Sequence, residues 1–145
     1  MISFRHIETT DPLYPGELAL RDAVLRAPQG RRRTQADIDR DREGFHFTAV
    51  EEGVVVGCLG LYPLSDCALE VRHVAVTPAR QREGVASGLF RCAEEWALAR
   101  NYRQFELDGR LTASGFYQAC GFAAIGEEYV KHDLPHLKFQ KALPK

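Results

Sequence analysis

The most constraining feature of this sequence is a β-branched run that leads through a glycine-containing turn into an amphipathic helix. The run from Val71 to Val76 stops at Thr77-Pro78, and Gly84 marks the polar turn before the helix. The first turn of a helix carries N–H groups without intrahelical partners and a partial positive charge, which together favour a bound anion. Small residues at Gly84 and Ala86 let a phosphate approach the backbone without meeting a side chain. The segment therefore predicts a pyrophosphate site.

Two common phosphate-binding patterns, G-x-G-x-x-G and G-x-x-x-x-G-K-[ST], do not occur in the sequence. The turn instead reads Gln81-x-x-Gly84-x-Ala86, which resembles the Q/R-x-x-G-x-G/A loop of the GNAT superfamily of N-acetyltransferases. In that family the loop binds the pyrophosphate of acetyl-CoA. The resemblance implies that acetyl-CoA is the co-substrate and that its pyrophosphate contacts Gln81, Arg82, Glu83, Gly84, Val85, Ala86 and Ser87.

A second segment carries the same resemblance. The run Ala113-Ser114-Gly115-Phe116-Tyr117-Gln118-Ala119-Cys120-Gly121-Phe122 is similar to the GNAT element A-x-x-F-Y-x-x-x-G-F, and it follows the phosphate loop in the family's order. The later segments Gly126 to Tyr129 and Leu134 to His136 resemble a bacterial subgroup of poorly defined substrate. The resemblance covers essentially the whole chain.

Periodicity along the chain predicts the order β, α, β-β-β, α, β, α, β-β. We expect strands over 2–7, 45–50, 54–62, 68–76, 102–107, 122–130 and 137–141, and helices over 13–27, 84–100 and 112–120. A short helix over 35–40 is an additional candidate outside this order. This order predicts an α/β fold with helices on both faces of the sheet. The resemblance implies the GNAT fold, a mixed, mostly antiparallel sheet of six or seven strands flanked by about four helices.

Finer packing follows from the same patterns. The apolar residues after Arg72 predict a strand buried on both faces. The helix over 84–100 places Val85, Leu89, Cys92, Trp96 and Ala99 on one stripe. We also expect all four cysteines to be small buried hydrophobes kept reduced, because none forms C-x-x-C.

Composition limits the function classes. The chain has 145 residues, 45% of them hydrophobic, which suits one domain over residues 1–145. A net charge of -1 gives no basic excess for nucleic acid, and the apolar stretches are too short to cross a bilayer. The N-terminal residues lack the apolar core of a signal peptide, so we expect a cytoplasmic protein. His132 and His136 are the only histidines at metal-like spacing, but Pro135 argues against a helix there, so we expect no metal.

Acyl transfer from a thioester to an amine needs a base for the ammonium group and an acid for the thiolate. By resemblance, Tyr117 is the acid; the alternative is an aromatic that packs on the sheet. Glu70 is the base candidate, on one strand face with residues 72, 74 and 76. Pairing of Glu70 with Arg72, or a water relay with no protein base, remains an open alternative.

The remaining candidate residues concern the cofactor and the acceptor. The resemblance implies that pantetheine pairs with the backbone of Val74, Ala75 and Val76, and that Arg110, Ala113 and Phe116 lie beside the cofactor, although Phe116 is also expected in the core. Two positions depart from the family: Arg110 stands where Asn is frequent, and Glu83 stands where a basic residue or glutamine is common. The Arg31-Arg32-Arg33 run is interpreted as a solvated loop, with anion recognition as the alternative; His73 is interpreted as structural, and His136 is placed at the acceptor cleft.

The sequence thus predicts an enzyme, an N-acetyltransferase that passes an acetyl group from acetyl-CoA to a primary amine by direct attack in a ternary complex. A non-catalytic acetyl-CoA-binding sensor or interaction module is the alternative, and an α/β domain without CoA is a second one. The acceptor, the length of the acyl group and the oligomeric state stay open, although dimers are frequent in the family.

Overall fold

The fold is described from a computed structural model that covers residues 1–144. A single sheet of seven strands has the order β1-β2-β3-β4-β5-β7-β6. All neighbouring strands are antiparallel except β4 and β5, which run parallel. The strands are β1 (Ile2–Ile7), β2 (Phe45–Glu51), β3 (Val54–Pro63), β4 (Ala68–Val76), β5 (Gln104–Arg110), β6 (Ala123–Lys131) and β7 (Leu134–Ala142).

Four α-helices flank this sheet: α1 (Tyr14–Arg21), α2 (Gln35–Asp41), α3 (Val85–Ala99) and α4 (Ser114–Ala119). The residues of α3 pack on the main core, whereas Leu20 of α1 packs on a smaller cluster with Val55, Cys58 and Ala75 on the opposite face. The predicted GNAT-type α/β sheet with helices on both faces is confirmed.

The parallel pairing of β4 and β5 is short. It joins Ala68 to Gln104, Leu69 to Phe105 and Glu70 to Glu106, and then it stops. Beyond Glu70, β4 continues beside β3, while β5 continues beside β7 as far as Arg110. The two strands therefore diverge, and the sheet opens into a V at its centre.

A bulge in β4 overturns the prediction that residues 70, 72, 74 and 76 share one face. The register with β3 passes from Gly60–Arg72 to Cys58–Ala75, so His73 and Val74 oppose one residue, and His73 has φ 59°. Leu69 and Val71 face the main core before the bulge, and Val74 and Val76 face it afterwards. Glu70 and Arg72 consequently lie on the face opposite to Val74 and Val76.

The same divergence makes the expectation of full burial in β4 wrong. Leu69, Val71 and Ala75 are buried, but His73 and Val74 are only half-buried because β5 no longer covers that edge. In α3 the buried residues follow a line through Leu89, Ala93 and Ala97, and Cys92 and Trp96 lie at its margin. Ala99 is exposed, so the prediction that it belongs to the buried stripe is wrong. Of the four cysteines, which are all free, Cys58 is buried as predicted, Cys92 and Cys120 are half-buried, and Cys67 is exposed in a turn.

The predicted helix over 13–27 is continuous only as far as Arg21. A π-helical turn follows over Asp22–Arg26 and a 3-10 turn over Ala27–Gln29. Pro28 has no N–H and its ring clashes with the carbonyl four residues earlier, which a regular helix cannot accommodate. The wider turn directs Val24 and Leu25 toward the V in the sheet.

A buried polar cluster ties α1 and α2 to the sheet. The Arg21 guanidinium donates to both Asp41 oxygens, at 2.8 and 3.2 Å, with both side chains 1% exposed. The hydroxyls of Tyr14 and Tyr62 also donate to Asp41. Four donated hydrogen bonds hold the pKa of Asp41 below its usual value despite burial. The α1–α2 side of the V thus rests on a fixed scaffold.

Candidate active site

A cleft of about 320 Å³ passes through the V between β4 and β5. Its walls come from both faces of the sheet. Val74, Ala113 and Tyr117 line the side of α3 and α4, while Arg26, Asp37 and His136 line the side of α1 and α2. A molecule bound from one face can therefore meet a second molecule bound from the other face inside the sheet.

The turn after β4 forms the mouth of the α3 side. Residues 81–84 are exposed, and Gly84 precedes the helix with φ 81°. Within residues 1–144 no side chain caps α3, and its first i→i−4 bond runs from the Gly88 N–H to the Gly84 carbonyl. The N–H groups of Val85, Ala86 and Ser87 thus precede the hydrogen-bonded ladder and are suited to an anion.

The acidic residue in this turn is partly neutralised by a neighbour. The Arg80 guanidinium lies 2.8 Å from Glu51 and 3.8 Å from the Glu83 carboxylate. Glu83 is exposed, and its side chain reaches back to Arg80 from the turn. Repulsion between Glu83 and a bound pyrophosphate is consequently weakened by Arg80 and by solvent.

Two further contacts shape the turn. The Gln81 amide donates to the Val76 carbonyl at 3.1 Å, which links the turn to the end of β4. A Cβ atom on Gly88 would lie 2.2 Å from the Phe4 ring, so a larger residue at 88 would require the exposed Phe4 side chain to move. Gly84, by contrast, has the left-handed backbone that glycine adopts most easily.

Tyr117 lines the cleft from α4. Its ring packs on Phe116, Phe122 and Phe139, with centroid distances of 5.4, 6.2 and 5.3 Å. The Tyr117 ring therefore packs on neighbouring aromatic residues, as the alternative interpretation of a packing aromatic predicted. The side chain also lines the cleft. Burial, and secondarily Cys120, raises the pKa of the Tyr117 phenol, so the hydroxyl keeps its proton at neutral pH.

Glu70 lies where β4 and β5 separate, at the last residue of their parallel pairing. Its carboxylate is 3.9 Å from the Arg72 Nε, an ion-pair distance too long for a hydrogen bond. Glu70 lines the cleft from the face of α1 and α2. The bulge at His73 thus puts Glu70 on the side of α1 and α2, while Val74 and Val76 face the side of α3 and α4.

Two histidines also line the cleft. Burial, reinforced by Arg21 and Arg72, lowers the pKa of His73 to about 2, so its ring is neutral, and its edge packs on Tyr62. His136 Nδ1 lies 2.8 Å from the Leu134 carbonyl, which can only accept, so Nδ1 donates. Both histidines lie on strands, and His132 lies in the turn before β7.

The segment after β5 supplies the remaining wall. Arg110 ends β5, and Ala113 lies in the 3-10 turn before α4; both line the cleft. Phe116 is 37% exposed, so the expectation that it belongs to the core is wrong. The short helix α4 presents Phe116 toward Phe90 of α3, at 6.2 Å, on the open side where no strand covers it.

The sequence analysis missed several cleft residues. Val24, Leu25, Arg26 and Asp37 reach it from the α1–α2 region, and Asp108 and Lys131 reach it from β5 and β6. Asp108 accepts from Tyr129 and from Lys131 at 2.8 Å, and these partners lower its pKa to about 2 against the effect of burial. Alternation along Glu106, Asp108 and Arg110 could have indicated a polar face on β5.

Residues 1–144 contain neither a cluster of metal-binding side chains nor a helix that could span a membrane. No three His, Cys, Asp or Glu side chains are arranged around a common point as a metal ion would require. None of the helices in this range combines the length and the hydropathy needed for a bilayer crossing.

Comparison with known proteins agrees with this architecture. Escherichia coli ElaA superposes with a TM-score of 0.84 at 20% identity, over 97% of this chain and 99% of that one. An acyl-CoA N-acyltransferase from Pseudomonas aeruginosa gives a TM-score of 0.82 at 20% identity, over 98% and 100%. At this identity the likeness concerns the fold.

Sequence relatives match more locally. N-acetyltransferase 8 of Homo sapiens is 29% identical over 97 residues, which is 61% of this chain and 43% of that protein. Streptothricin acetyltransferase of Escherichia coli is 27% identical over 94 residues, or 63% and 54%. The chain thus spans about half the length of the curated relatives it matches. The profile of the acetyltransferase (GNAT) family matches residues 8–122, most of the chain. The chain therefore belongs to the acetyltransferase (GNAT) family.

Proposed function

We propose that this protein is an N-acetyltransferase that passes the acetyl group of acetyl-CoA to a primary amine by direct attack. The observation that carries the proposal is the cleft through the sheet at the divergence of β4 and β5, with Tyr117 among its lining residues. Membership of the GNAT family supports acetyl-CoA as the donor, and residues 1–145 would act as one domain.

The cofactor would enter from the side of α3 and α4. Its pyrophosphate would meet the residues from Gln81 to Ser87, where N–H groups at the start of α3 supply donors. Its pantetheine would lie along the open edge of β4, against the backbone of Val74, Ala75 and Val76. Arg110, Ala113 and Phe116 would form the opposite wall. The side chain of Ala75 is buried, so only its backbone is available.

The acceptor amine would arrive from the side of α1 and α2. A lysine-like ammonium has a pKa of about 10.4, so it must lose a proton before it attacks the thioester carbonyl. Glu70 would take this proton, directly or through a water molecule. The neutral nitrogen then forms the new C–N bond and loses its second proton to solvent as the C–S bond breaks. Tyr117 would give its phenolic proton to the departing CoA sulfur and regain a proton from solvent. A raised phenol pKa keeps that proton available.

Tyr117→Phe tests the assignment of the acid. The ring and its packing stay in place, and only the hydroxyl is lost. We expect kcat for thiol release to fall roughly 10²-fold, as is usual when a general acid is removed. The Kd for acetyl-CoA, measured by calorimetry, should change little. Unchanged turnover would show that another group, or water, protonates the sulfur.

Tyr102→Phe provides the matched control, because Tyr102 stacks on Trp96 away from the cleft. A non-catalytic acetyl-CoA-binding module is the other candidate, favoured by Arg110 and Glu83 at positions where the family pattern differs. The same assay separates the two functions. Acetyl-CoA binding without thiol release for amino acids, peptides, polyamines and aminoglycosides would support the module and overturn the enzyme.

A further inference from the structure

The charges on the acceptor wall of the cleft do not cancel. Arg26 is occupied by two carboxylates, since it lies 2.9 Å from Asp22 and 3.6 Å from Asp37. Lys131 is likewise occupied by Asp108 at 2.8 Å. These pairs fix the wall and leave little net charge of their own.

Arg31 differs from these paired cations. Within residues 1–144, no carboxylate lies within ion-pair distance of Arg31, and its Nη1 donates only to the neutral Gln29 amide oxygen, at 3.2 Å. Its backbone is held by a hydrogen bond from the Arg31 N–H to the Arg26 carbonyl at 2.9 Å. The chain thus presents an unneutralised guanidinium at the rim of the cleft from a fixed backbone position.

Arg72 provides a second guanidinium on the same side. Its Nε is 3.9 Å from Glu70, beyond hydrogen-bond distance, and its guanidinium lies 5.8 Å from the centre of the Tyr62 ring. Tyr62 is itself anchored to Asp41. Arg72 is therefore positioned by an aromatic ring and retains free N–H donors.

The environment of His132 supports this picture. Its pKa is lowered first by partial burial and then by Arg31, Lys131, His136 and Arg72, which are all basic groups. These side chains come from four elements and meet near the β6–β7 turn. The rim of the cleft is thus electropositive, although the whole chain has a net charge of -1.

We infer that the acceptor is a small primary amine that also carries an anionic group, a carboxylate or a phosphate, held by Arg31 and Arg72. Guanidinium groups bind both anions through paired N–H donors. Val24, Leu25 and Pro28 on the same wall would contact an apolar part of the same molecule. The cleft volume suits a small molecule. This inference rests on the proposed function, whose acceptor it specifies.

Matched acceptors provide the first test. Leucine, its phosphonate analogue and leucinamide have the same side chain and α-amine and differ in the charge of the group next to the amine. Glutamate, its diamide and cadaverine extend the series. The amide has the less basic amine, so more of it is unprotonated at neutral pH and intrinsic reactivity favours it. We expect kcat/KM for thiol release to be at least tenfold higher for the anionic members. Preference for the amides or for cadaverine would overturn the inference, and the ratio of leucine to its phosphonate shows which anion fits.

Substitutions at Arg31 and Arg32 test whether Arg31 binds the anionic group of the acceptor. Arg31→Gln should reduce the preference for anionic acceptors at least fivefold, whereas Arg32→Gln, the exposed neighbour outside the cleft, should leave it unchanged. Equal effects of the two substitutions would indicate a general surface charge and contradict a site at Arg31.

A binding measurement separates failure of this inference from failure of the proposed function. With CoA present, calorimetry would compare N-acetylleucine with N-acetylleucinamide, the two products, in the unaltered protein and in Arg31→Gln. Tighter binding of the anionic product that weakens in Arg31→Gln supports the inference even if no thiol is released, in which case the enzyme proposal alone fails. Equal binding of the two products, or binding of neither, overturns the inference whatever the turnover.

Discussion

Gly109 lies directly beneath the ring of Tyr117. A Cβ atom added at Gly109 would come 2.7 Å from Cε2 of Tyr117 and 2.9 Å from Cε2 of Phe139. Both distances are below van der Waals contact, so both rings, or the strand itself, would have to shift. The position of the proposed acid therefore depends on the absence of a side chain on β5.

Gly109→Ala tests this dependence. Overpacking of this kind costs about 1–3 kcal/mol of unfolding free energy. Because Tyr117 would shift away from the sulfur, we expect kcat for thiol release to fall more than tenfold, with a smaller change in the Kd of acetyl-CoA. Urea unfolding and steady-state kinetics at a temperature where the variant is folded provide the two readouts.

Gly115→Ala is the control for Gly109→Ala. Gly115 lies in α4 next to Phe116, and no atom of residues 1–144 comes within 4 Å of an added Cβ. Alanine should be neutral there, or stabilise the protein by about 0.4–1 kcal/mol through the unfolded chain. Equal activities of the two variants would mean that the Tyr117 ring adapts without loss, which contradicts a precise role for its hydroxyl.

A second prediction concerns Glu17, which is 1% exposed and has no hydrogen-bond partner for either oxygen within residues 1–144. Its Oε2 is 3.5 Å from His46 Nδ1. The His46 Nε2 lies 2.7 Å from the Asp41 carbonyl, so Nε2 donates and Nδ1 turns a lone pair toward Glu17. A neutral carboxyl can face this lone pair, whereas a carboxylate would be repelled.

Burial accordingly raises the pKa of Glu17 to about 8 from its ordinary 4.5, although Arg21 acts in the opposite direction. Arg21 lies 3.7 Å away but donates to Asp41, so it compensates only in part. The folded state then binds a proton more tightly than the unfolded state. The stability contribution is complete below pH 4.5 and is lost as the pH rises to about 8, by at most about 1.4 kcal/mol per pH unit.

Glu17→Gln removes this titration and keeps the shape of the side chain. We expect the variant to match the unaltered protein closely in stability at pH 4 and to exceed it at pH 8. The pKa values of Asp41 and His46 are both lowered, and their titrations are common to both proteins, so the difference between the two urea-unfolding curves isolates Glu17. A difference that does not vary with pH would contradict a raised pKa at this position.

Much of the fold could be predicted from local sequence. Glu52-Gly53 joins β2 and β3 with φ values of 50° and 79°, the geometry of a two-residue hairpin turn. The amphipathic pattern located α3 to within one residue at each end. In these segments neighbouring residues decide the conformation, because turn chemistry and helical periodicity are local properties.

The rest of the site depends on distant contacts. The bulge at His73 follows from the register between β3 and β4. No residue type in the sequence around His73 indicates a left-handed backbone conformation inside a strand. Asp37 and Lys131 lie far apart in sequence and share the cleft only because the sheet opens between β4 and β5. Sequence motifs identified the residues near the proposed cofactor site. The residues of the proposed acceptor wall could not be identified in this way, because only the tertiary structure brings them together.

The last prediction concerns the backbone of the phosphate turn. Gly84 has φ 81° and Gly53 has φ 79°, and within residues 1–144 neither has an atom within 4 Å of an added Cβ. Alanine at either position should therefore cost a similar amount, about 1 kcal/mol of unfolding free energy, through backbone strain alone. Gly53 lies in the β2–β3 turn, far along the chain from α3, and makes Gly53→Ala a matched control.

The two substitutions should differ in their effect on CoA. If the N–H groups at the start of α3 bind the pyrophosphate, Gly84→Ala should raise the Kd of acetyl-CoA at least fivefold, because a strained turn redirects these donors and brings a methyl group toward the anion. Gly53→Ala should leave the Kd unchanged at equal loss of stability. Calorimetry with acetyl-CoA, together with unfolding curves, measures both quantities. Equal Kd values for the two variants would place the pyrophosphate away from Gly84 and remove the support for the whole cofactor assignment.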